Sequence, residues 1–285
     1  MHHRNLNYKI VILVFLLVTV TLLATGFFYL KLSNCDTKTL DKQFSPSDGI
    51  PVLMYHKVSP SYKAGGLGLR VRPKDFAWQM QYLYNNRYHT VSLEDVVDYW
   101  QHKKSLPSNP VVITFDDGYE DNYKYAYPIL KKYHFTATIF VVVNSVGKTN
   151  FFDVRRGVQP VNKMLTWAEI KELDANGITI GAHTMNHPHL AKIKPYQAER
   201  EIIESKKALE KALGKPVLTF SYPYGSYNKT VEDFVKKAGF KVAVTTKQGI
   251  NFSNADPYAL KRIRIMGRYS HRKFIHELTR YYRKN

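Results

Sequence analysis

The sequence has 285 residues, 44% of them hydrophobic, and one cysteine, Cys35. This length and composition suit a single α/β domain with a packed core, and a lone cysteine excludes a framework of internal disulfides. The formal net charge of +19 predicts attraction to polyanions in general. Because no zinc finger, RNA-recognition signature or basic-aromatic stripe accompanies this charge, we expect no nucleic-acid partner.

The amino-terminal region predicts a segment that crosses the membrane. Ile10 to Leu30 is an uncharged, predominantly apolar run of 21 residues, close to the ~20 that span a hydrocarbon core. Arg4 and Lys9 precede the run, and this charge favours a cytoplasmic amino terminus with the rest of the chain outside. Two alternatives stay open: a cleaved signal peptide, which would release the protein, and a lipoprotein with "LSNC" (32–35) as its cleavage box.

We therefore divide the chain into four parts. Residues 1–9 are the cytoplasmic amino terminus, 10–30 the transmembrane anchor or signal segment, 31–48 a polar linker, and 49–285 the folded domain. Whichever of the three alternatives holds for the apolar segment, the folded domain is expected to work outside the cytoplasm.

After Gly49, strand-like runs alternate with helical patterns. Eight runs predict strands: "PVLMYH" (51–56), "YHTV" (88–91), "VVITF" (111–115), "ATIFVVV" (137–143), "ITIGAH" (178–183), "VLTFSY" (217–222), "KVAVTT" (241–246) and "RIRI" (262–265). Strands that alternate with helices form mostly parallel sheets with helices outside them. Eight such strands in one α/β domain predict a closed or nearly closed barrel.

Four helix starts carry recognisable signals. Thr166 and Glu169 form a capping box, and Pro195 suits the first turn of the next helix. Asn228 and Ser270 are plausible N-cap residues for the last two helices.

Polar residues follow several of the predicted strands. In α/β barrels, catalytic groups gather at the carboxyl ends of the strands. The residues found at these positions are His56, Asp116 with Asp117, His183, Ser221 with Tyr222, and Thr245 with Thr246.

The run "GAHTMNHPHL" (181–190) contains a histidine pair with metal-ligand spacing. His183 and His187 are four residues apart, so on a helical turn both rings would share one face. Two imidazoles and one carboxylate form a common ligand set for a divalent transition metal. Asp116 or Asp117 would be the third ligand, and the ion's charge would let both adjacent carboxylates stay ionised.

Three motifs resemble those of the polysaccharide deacetylases, carbohydrate esterase family 4 with its NodB-homology domain. They are "TFDDG" (114–118), "HTMNHPHL" (183–190) and "FSYPYG" (220–225), and the likeness covers roughly residues 50–277. The resemblance implies a distorted (β/α)7-8 barrel of the polysaccharide deacetylase type. It further implies the site residues: Asp116 as general base, Asp117, His183 and His187 as metal ligands, the Tyr224 backbone N–H as an oxyanion donor, and Tyr222, Pro223 and Tyr224 along the substrate groove.

The sequence departs from the family pattern in two places. Ser221 stands where most members have an arginine that orients the base, and the usual carboxyl-terminal leucine-rich strand ending in histidine is missing. "IPVLMYHKV" (50–58) has that character at the opposite end of the domain, as in a circularly permuted subgroup that includes poly-β-1,6-N-acetylglucosamine deacetylases. This likeness implies that His56 is the general acid, and we hypothesise that Arg262 supplies the charge absent at Ser221.

The resemblance implies metal-dependent hydrolysis of N-acetyl groups from an N-acetylglucosamine polysaccharide, with poly-β-1,6-N-acetylglucosamine favoured. Peptidoglycan, chitin-type oligomers and acetylated xylan are alternative substrates, and a non-catalytic, membrane-anchored polysaccharide-binding protein is an alternative of another class. One divalent ion is implied, zinc by default, although nickel, cobalt and iron suit the same ligands. We expect a monomer whose partners are the polysaccharide and the membrane.

Overall fold

The computed structural model describes residues 43–282 of the chain. The predicted anchor, Ile10–Leu30, lies outside these residues, as does most of the predicted linker. Phe44, near the end of that linker, is buried, and its ring stacks on that of Tyr282 with the centroids 3.7 Å apart. Within residues 43–282, no helix combines the length and apolar character needed to cross a membrane.

The part of the chain from 43 to 282 contains ten strands, and each of the eight predicted runs overlaps one of them. Two short strands that were not predicted, β2 and β3, pair with each other in a separate parallel sheet. The bounds are β1 (Val52–Tyr55), β2 (Lys57–Val58), β3 (Arg70–Val71), β4 (His89–Thr90), β5 (Pro110–Phe115), β6 (Thr138–Val141), β7 (Thr179–Ala182), β8 (Thr219–Ser221), β9 (Val242–Gln248) and β10 (Leu260–Arg264).

Seven of these strands close into a parallel barrel, which confirms the predicted architecture. Their order is β1-β10-β9-β8-β7-β6-β5, and β1 pairs with both β10 and β5 to complete the ring. The eighth strand of the main sheet, β4, pairs with the amino-terminal end of β5. Strands β1, β5 and β6 are buried along their whole length, as expected where helices cover a parallel sheet.

Eight α-helices are described in residues 43–282, and the predicted helix starts are confirmed. Thr166 accepts a hydrogen bond from the Glu169 N–H, and Pro195 is the first residue of its helix. Asn228 and Ser270 likewise cap the last two helices. The bounds are α1 (Pro73–Asn85), α2 (Leu93–Trp100), α3 (Tyr127–Lys132), α4 (Phe151–Val154), α5 (Trp167–Ala175), α6 (Pro195–Leu213), α7 (Lys229–Lys237) and α8 (His271–Thr279).

The alternation of side chains along each strand separates the barrel interior from the layer under the helices. On β5, Ile113 and Phe115 join the large apolar cluster that includes helix residues. Val112 belongs to a smaller cluster, which joins Val52 and Leu260 of other barrel strands to residues of α2. Since successive side chains point to opposite faces, the positions that follow Val112 on its face, Thr114 and Asp116, also point into the barrel. The strands therefore carry polar side chains inward at their carboxyl ends.

Candidate active site

The carboxyl ends of the strands surround a cleft of about 370 Å³. Most of the predicted site residues line it, although they come from four different strand ends. The lining residues are Met54, His56, Leu69, Asp116, Asp117, Asp153, Arg156, Val158, Gln159, His183, His187, Tyr224, Thr246 and Arg264.

Asp117, His183 and His187 bring one ligand atom each to a common point. Asp117 Oδ1 lies 3.5 Å from His183 Nε2 and 3.3 Å from His187 Nε2, and the two Nε2 atoms are 3.2 Å apart. All three side chains are buried, and together they form a group that could hold one metal ion. Of the two adjacent aspartates, Asp117 is therefore the one that faces the imidazoles.

The second ring nitrogen of each histidine has its own partner. His183 Nδ1 lies 2.7 Å from the Ser221 carbonyl oxygen, which can only accept, so this nitrogen carries the proton. His187 Nδ1 lies 2.9 Å from the Tyr224 hydroxyl. Such outer hydrogen bonds fix the ring orientation of metal-ligating histidines and leave Nε2 free to ligate. The donor set and its surroundings therefore fit a divalent transition metal.

The two histidines do not lie on a helical turn, although their four-residue spacing would suit one. The chain after β7 is a loop, in which Thr184 and His187 have positive φ angles of 67° and 60°. The Thr184 hydroxyl accepts from the His187 N–H at 2.9 Å, and Glu201 accepts from the N–H groups of Met185 and Asn186. These side-chain acceptors replace helical hydrogen bonds and bring the two rings together by another route.

Asp116 is held by Arg262 in a bidentate ion pair. The two Nη atoms of Arg262 donate to the two carboxylate oxygens at 2.8 and 2.7 Å, and the Ser221 hydroxyl donates to Oδ1 at 3.2 Å. Burial raises the pKa of Asp116, but the charge and hydrogen bonds of Arg262 outweigh it and lower that pKa to about 2. Asp116 therefore stays ionised and fixed in orientation.

Arg262 itself is fully buried, and several hydrogen bonds hold it in this position. Its Nε donates to the Thr245 carbonyl at 2.8 Å, and its Nη atoms also contact the hydroxyls of Thr114 and Ser221. The guanidinium thus lies beside Ser221, where most family members have their own arginine. That it orients a catalytic base stays a prediction.

His56 follows β1 and lines the same cleft as the imidazole pair. Its Nε2 is 3.9 Å from Asp116 Oδ2, and 15% of its side chain is exposed. Burial lowers the pKa of His56 below its usual range, although the charges of Asp117 and Asp116 oppose the shift. The ring is thus within reach of a group bound between Asp116 and the cleft opening.

The motif "FSYPYG" (220–225) contributes Tyr224 to the cleft but not its two neighbours. Tyr224 has a positive φ of 58°, and its ring stacks on His189 with the centroids 3.9 Å apart. The prediction that Tyr222 and Pro223 line the groove is wrong, since both are buried and neither lines the cleft. Ser221 points inward to Asp116, so strand alternation turns Tyr222 outward, where its hydroxyl donates to the Tyr258 carbonyl.

Four cleft residues come from a segment for which the sequence predicted no role. They follow β6, in and after the single-turn helix α4, and are Asp153, Arg156, Val158 and Gln159. The segment lacks strand or helix periodicity, and its one signal is the charged run "DVRR" (153–156). No pattern in that run separates a cleft wall from an exposed loop.

Comparison with known proteins gives consistent matches. The sequence profile of the family described as polysaccharide deacetylase matches residues 103–243. The chain is 35% identical over 230 residues to YxkH of Bacillus subtilis (strain 168), a candidate polysaccharide deacetylase; the match covers 81% of this chain and 76% of YxkH. It is 30% identical over 204 residues to the poly-β-1,6-N-acetyl-D-glucosamine N-deacetylase of Staphylococcus aureus (strain MRSA252), covering 68% and 67% of the two chains.

A solved structure extends this similarity to the fold. The Streptococcus pyogenes deacetylase PplD, in complex with acetate, superposes with a TM-score of 0.70 at 31% sequence identity. The superposition covers 81% of this chain and 98% of that one.

Proposed function

This chain belongs to the polysaccharide deacetylase family, and on that premise we propose that it removes N-acetyl groups from an N-acetylglucosamine polysaccharide outside the cytoplasm. The favoured substrate is poly-β-1,6-N-acetylglucosamine, and the favoured metal is zinc. The observation that carries the proposal is a group of three possible metal ligands beside a carboxylate that is held apart from them. Asp117, His183 and His187 converge on one point, while the adjacent Asp116 is held away from them by Arg262.

The three convergent side chains would hold a divalent ion through Asp117 Oδ1 and the two Nε2 atoms. When bound, such an ion polarises an acyl carbonyl and lowers the pKa of a coordinated water. The chain's own part is orientation: the Ser221 carbonyl and the Tyr224 hydroxyl fix the two rings through Nδ1. All three ligand side chains are buried, which limits their contact with bulk water.

Asp116 acts as the general base in this proposal. Arg262 keeps its carboxylate ionised, so it can take a proton from the water whose oxygen attacks the acetamide carbon. The same ion pair directs both carboxylate oxygens and prevents Asp116 from turning toward the imidazoles. One aspartate ligates while its neighbour moves the proton.

His56 acts as the general acid. When the C–N bond breaks, the leaving nitrogen must gain a proton, because an unprotonated amide nitrogen is a very poor leaving group. His56 supplies that proton when its ring is in the imidazolium form, and the products are acetate and a glucosamine unit. The Tyr224 backbone N–H is proposed to donate to the oxyanion that forms before this step.

The substrate proposal rests on similarity and on the order of the motifs. The S. aureus relative, which is 30% identical, is a poly-β-1,6-N-acetyl-D-glucosamine N-deacetylase. This chain also has its histidine-ending strand, β1, at the front of the domain, as the permuted subgroup is expected to have. The S. pyogenes neighbour binds acetate, the acid that the proposed reaction releases.

A non-catalytic binding protein was the alternative suggested by the missing arginine at Ser221. That alternative loses its main support because Arg262 places a guanidinium against Asp116 from β10. The alternative substrates for deacetylation are peptidoglycan, chitin-type oligomers and acetylated xylan, and the test below distinguishes them.

The test is acetate release from four substrates: β-1,6-linked and β-1,4-linked N-acetylglucosamine oligomers, peptidoglycan and acetylated xylan. We expect the β-1,6 oligomer to be deacetylated fastest. A chelator should abolish acetate release, and added zinc should restore it. Faster release from another substrate would reassign the specificity. No release from any of them, by protein shown to contain metal, would refute the proposed function.

The proposed location rests on Ile10–Leu30, whose apolar length and flanking charge favour an anchor with the domain outside. Fractionation of cells that express the full chain tests it. We expect the protein in the membrane fraction, with its domain digested by protease added to intact, wall-stripped cells. Protection from that protease would contradict an external domain.

A further inference from the structure

Asp153 is a buried carboxylate with unused hydrogen-bonding capacity. Only 6% of the residue is exposed, and it lines the same cleft as the imidazole pair. Its Oδ2 accepts from the Tyr119 hydroxyl at 3.3 Å. No group within residues 43–282 donates to the other oxygen, Oδ1, and no cation there forms an ion pair with either. This oxygen therefore offers free lone pairs to a hydroxyl that enters the cleft.

The chain holds Asp153 in a fixed position relative to the proposed metal site. The ring of the preceding residue, Phe152, packs on His187 with the centroids 4.5 Å apart. The fully buried Asn150 accepts from the Asn162 N–H at 2.7 Å and donates to the Pro160 carbonyl. The loop that carries Asp153 is therefore closed on itself and docked against a ligand ring.

Gln159 adds a donor to the same wall of the cleft. Its Oε1 accepts from the buried Lys57 at 3.0 Å, which fixes the amide group. Its NH₂ has no acceptor among the described residues. A carboxylate acceptor and an amide donor on one wall match a pair of hydroxyls, because each hydroxyl can both donate and accept.

We propose that Asp153 binds the ring hydroxyls of the sugar unit whose acetamide is hydrolysed, with Gln159 donating to the same pair. The proposal rests on the proposed function, since it takes the acetamide to lie at the imidazole pair. In a β-1,6-linked polymer the 3- and 4-hydroxyls of each unit are both free, whereas in a β-1,4-linked polymer the 4-hydroxyl is in the linkage. Asp153 is thus a specificity-determining residue that favours the β-1,6 linkage.

The binding test uses zinc-loaded protein carrying Asp116→Asn, so that oligomers bind without turnover. Calorimetry compares a β-1,6-linked N-acetylglucosamine oligomer with an analogue whose units lack the 4-hydroxyl. Adding Asp153→Asn is expected to weaken binding of the natural oligomer about tenfold, the loss of one charge-assisted hydrogen bond. Binding of the analogue, which keeps only the 3-hydroxyl contact, should weaken by a clearly smaller factor. The matched control is Asp233→Asn, a half-exposed carboxylate on α7, which should change neither value.

Equal weakening of both ligands by Asp153→Asn, or no weakening of either, would overturn the proposal, as would failure of the Asp116→Asn parent to bind any oligomer. Thermal unfolding of each variant shows whether the fold is kept. If Asp153→Asn does not fold, Gln159→Leu provides the same comparison from a half-buried position, and its effect should also depend on the 4-hydroxyl.

Kinetics separate this inference from the proposed function. In active protein, Asp153→Asn should raise KM for the β-1,6 oligomer about tenfold and reduce the preference for it over the β-1,4 oligomer. If the unaltered chain releases no acetate at all, the proposed function fails while the binding comparison still stands on its own. If it releases acetate and Asp153→Asn leaves the linkage preference unchanged, this inference alone fails.

Discussion

Arg262 and Asp116 form a buried bidentate ion pair between two strands that are far apart in sequence but close across the barrel. The nitrogen–oxygen distances are 2.8 and 2.7 Å, and both side chains are almost completely buried. Both groups are largely shielded from bulk water, so each is the main counter-charge of the other. Removing one partner of such a pair leaves an uncompensated buried charge.

We expect Arg262→Met to lower the free energy of unfolding by about 3–5 kcal/mol, measured by urea denaturation. The acidic limb of the activity profile should also move to higher pH. In the unaltered protein the pKa of Asp116 is about 2, so the base is ionised throughout the neutral range. Without Arg262 burial raises that pKa, so the ionised form is lost as pH falls and recovers as pH rises.

The matched control is Arg272→Met, which removes an exposed arginine from α8. It should change neither the stability nor the pH profile by a measurable amount. If Arg262→Met kept the normal acidic limb and near-normal acetate release, Arg262 would not orient the base.

Substitutions of the two adjacent aspartates should differ in their effect on the metal content of the protein. Asp117→Asn and His183→Ala each remove a proposed ligand, so both should lose the metal together with activity. Asp116→Asn should keep one metal ion per chain and lose acetate release, because its carboxylate faces Arg262 rather than the imidazoles. The measurement is metal content by emission spectroscopy beside the acetate assay. Loss of metal in Asp116→Asn with retention in Asp117→Asn would mean that the two roles are exchanged.

The Tyr224 hydroxyl should matter for metal affinity. It lies 2.9 Å from His187 Nδ1 and fixes that ring. Loss of an outer hydrogen bond of this kind typically costs 10–100-fold in metal affinity, so we expect Tyr224→Phe to weaken metal binding by about that factor in a chelator competition. The backbone N–H of residue 224 is kept in this variant. The control is Tyr227→Phe, whose hydroxyl contacts Lys247 instead; equal affinities in the two variants would contradict the assignment.

Two features could be predicted from the sequence: the strands themselves, and the clustering of the polar residues that follow them. Buried parallel strands are nearly continuous apolar runs, and a parallel barrel brings all their carboxyl ends to one face. The residues that directly follow the strands therefore share a cleft, whatever the conformation of the loops. They are His56, Asp116, Asp117 and His183. Arg262 could be proposed as well, because the arginine expected at Ser221 was missing, and the structure places its strand beside β1.

Residues beyond the strand ends could not be predicted in the same way. His187 reaches its partner through two positive-φ residues, and spacing alone suggested a helical turn instead. Asp153 and Gln159 lie in a segment without periodicity, so their place on the cleft wall depends on tertiary packing. Tyr222 is different, because the alternation along β8 was available: if Ser221 points inward, Tyr222 must point outward.

The corrected position of Tyr222 has its own test. Its hydroxyl donates to the Tyr258 carbonyl in the layer under the helices, so Tyr222→Phe should lower the free energy of unfolding by about 0.5–1.5 kcal/mol. KM and kcat for the oligomer should be unchanged, as measured on protein shown to be folded. A raised KM with unchanged stability would return Tyr222 to the substrate groove.

The role of His56 as general acid can be tested with two substrates whose leaving groups differ in their need for a proton. If His56 protonates the leaving nitrogen, His56→Gln should reduce kcat for an N-acetylglucosamine oligomer by roughly 10²–10⁴-fold. An activated ester such as 4-nitrophenyl acetate releases a stable phenolate that needs no proton, so its hydrolysis should fall far less. His276→Gln, an exposed change on α8, should affect neither substrate. Equal losses on amide and ester would mean that His56 supports the attack step or the fold of the cleft, and the general acid would have to be sought elsewhere.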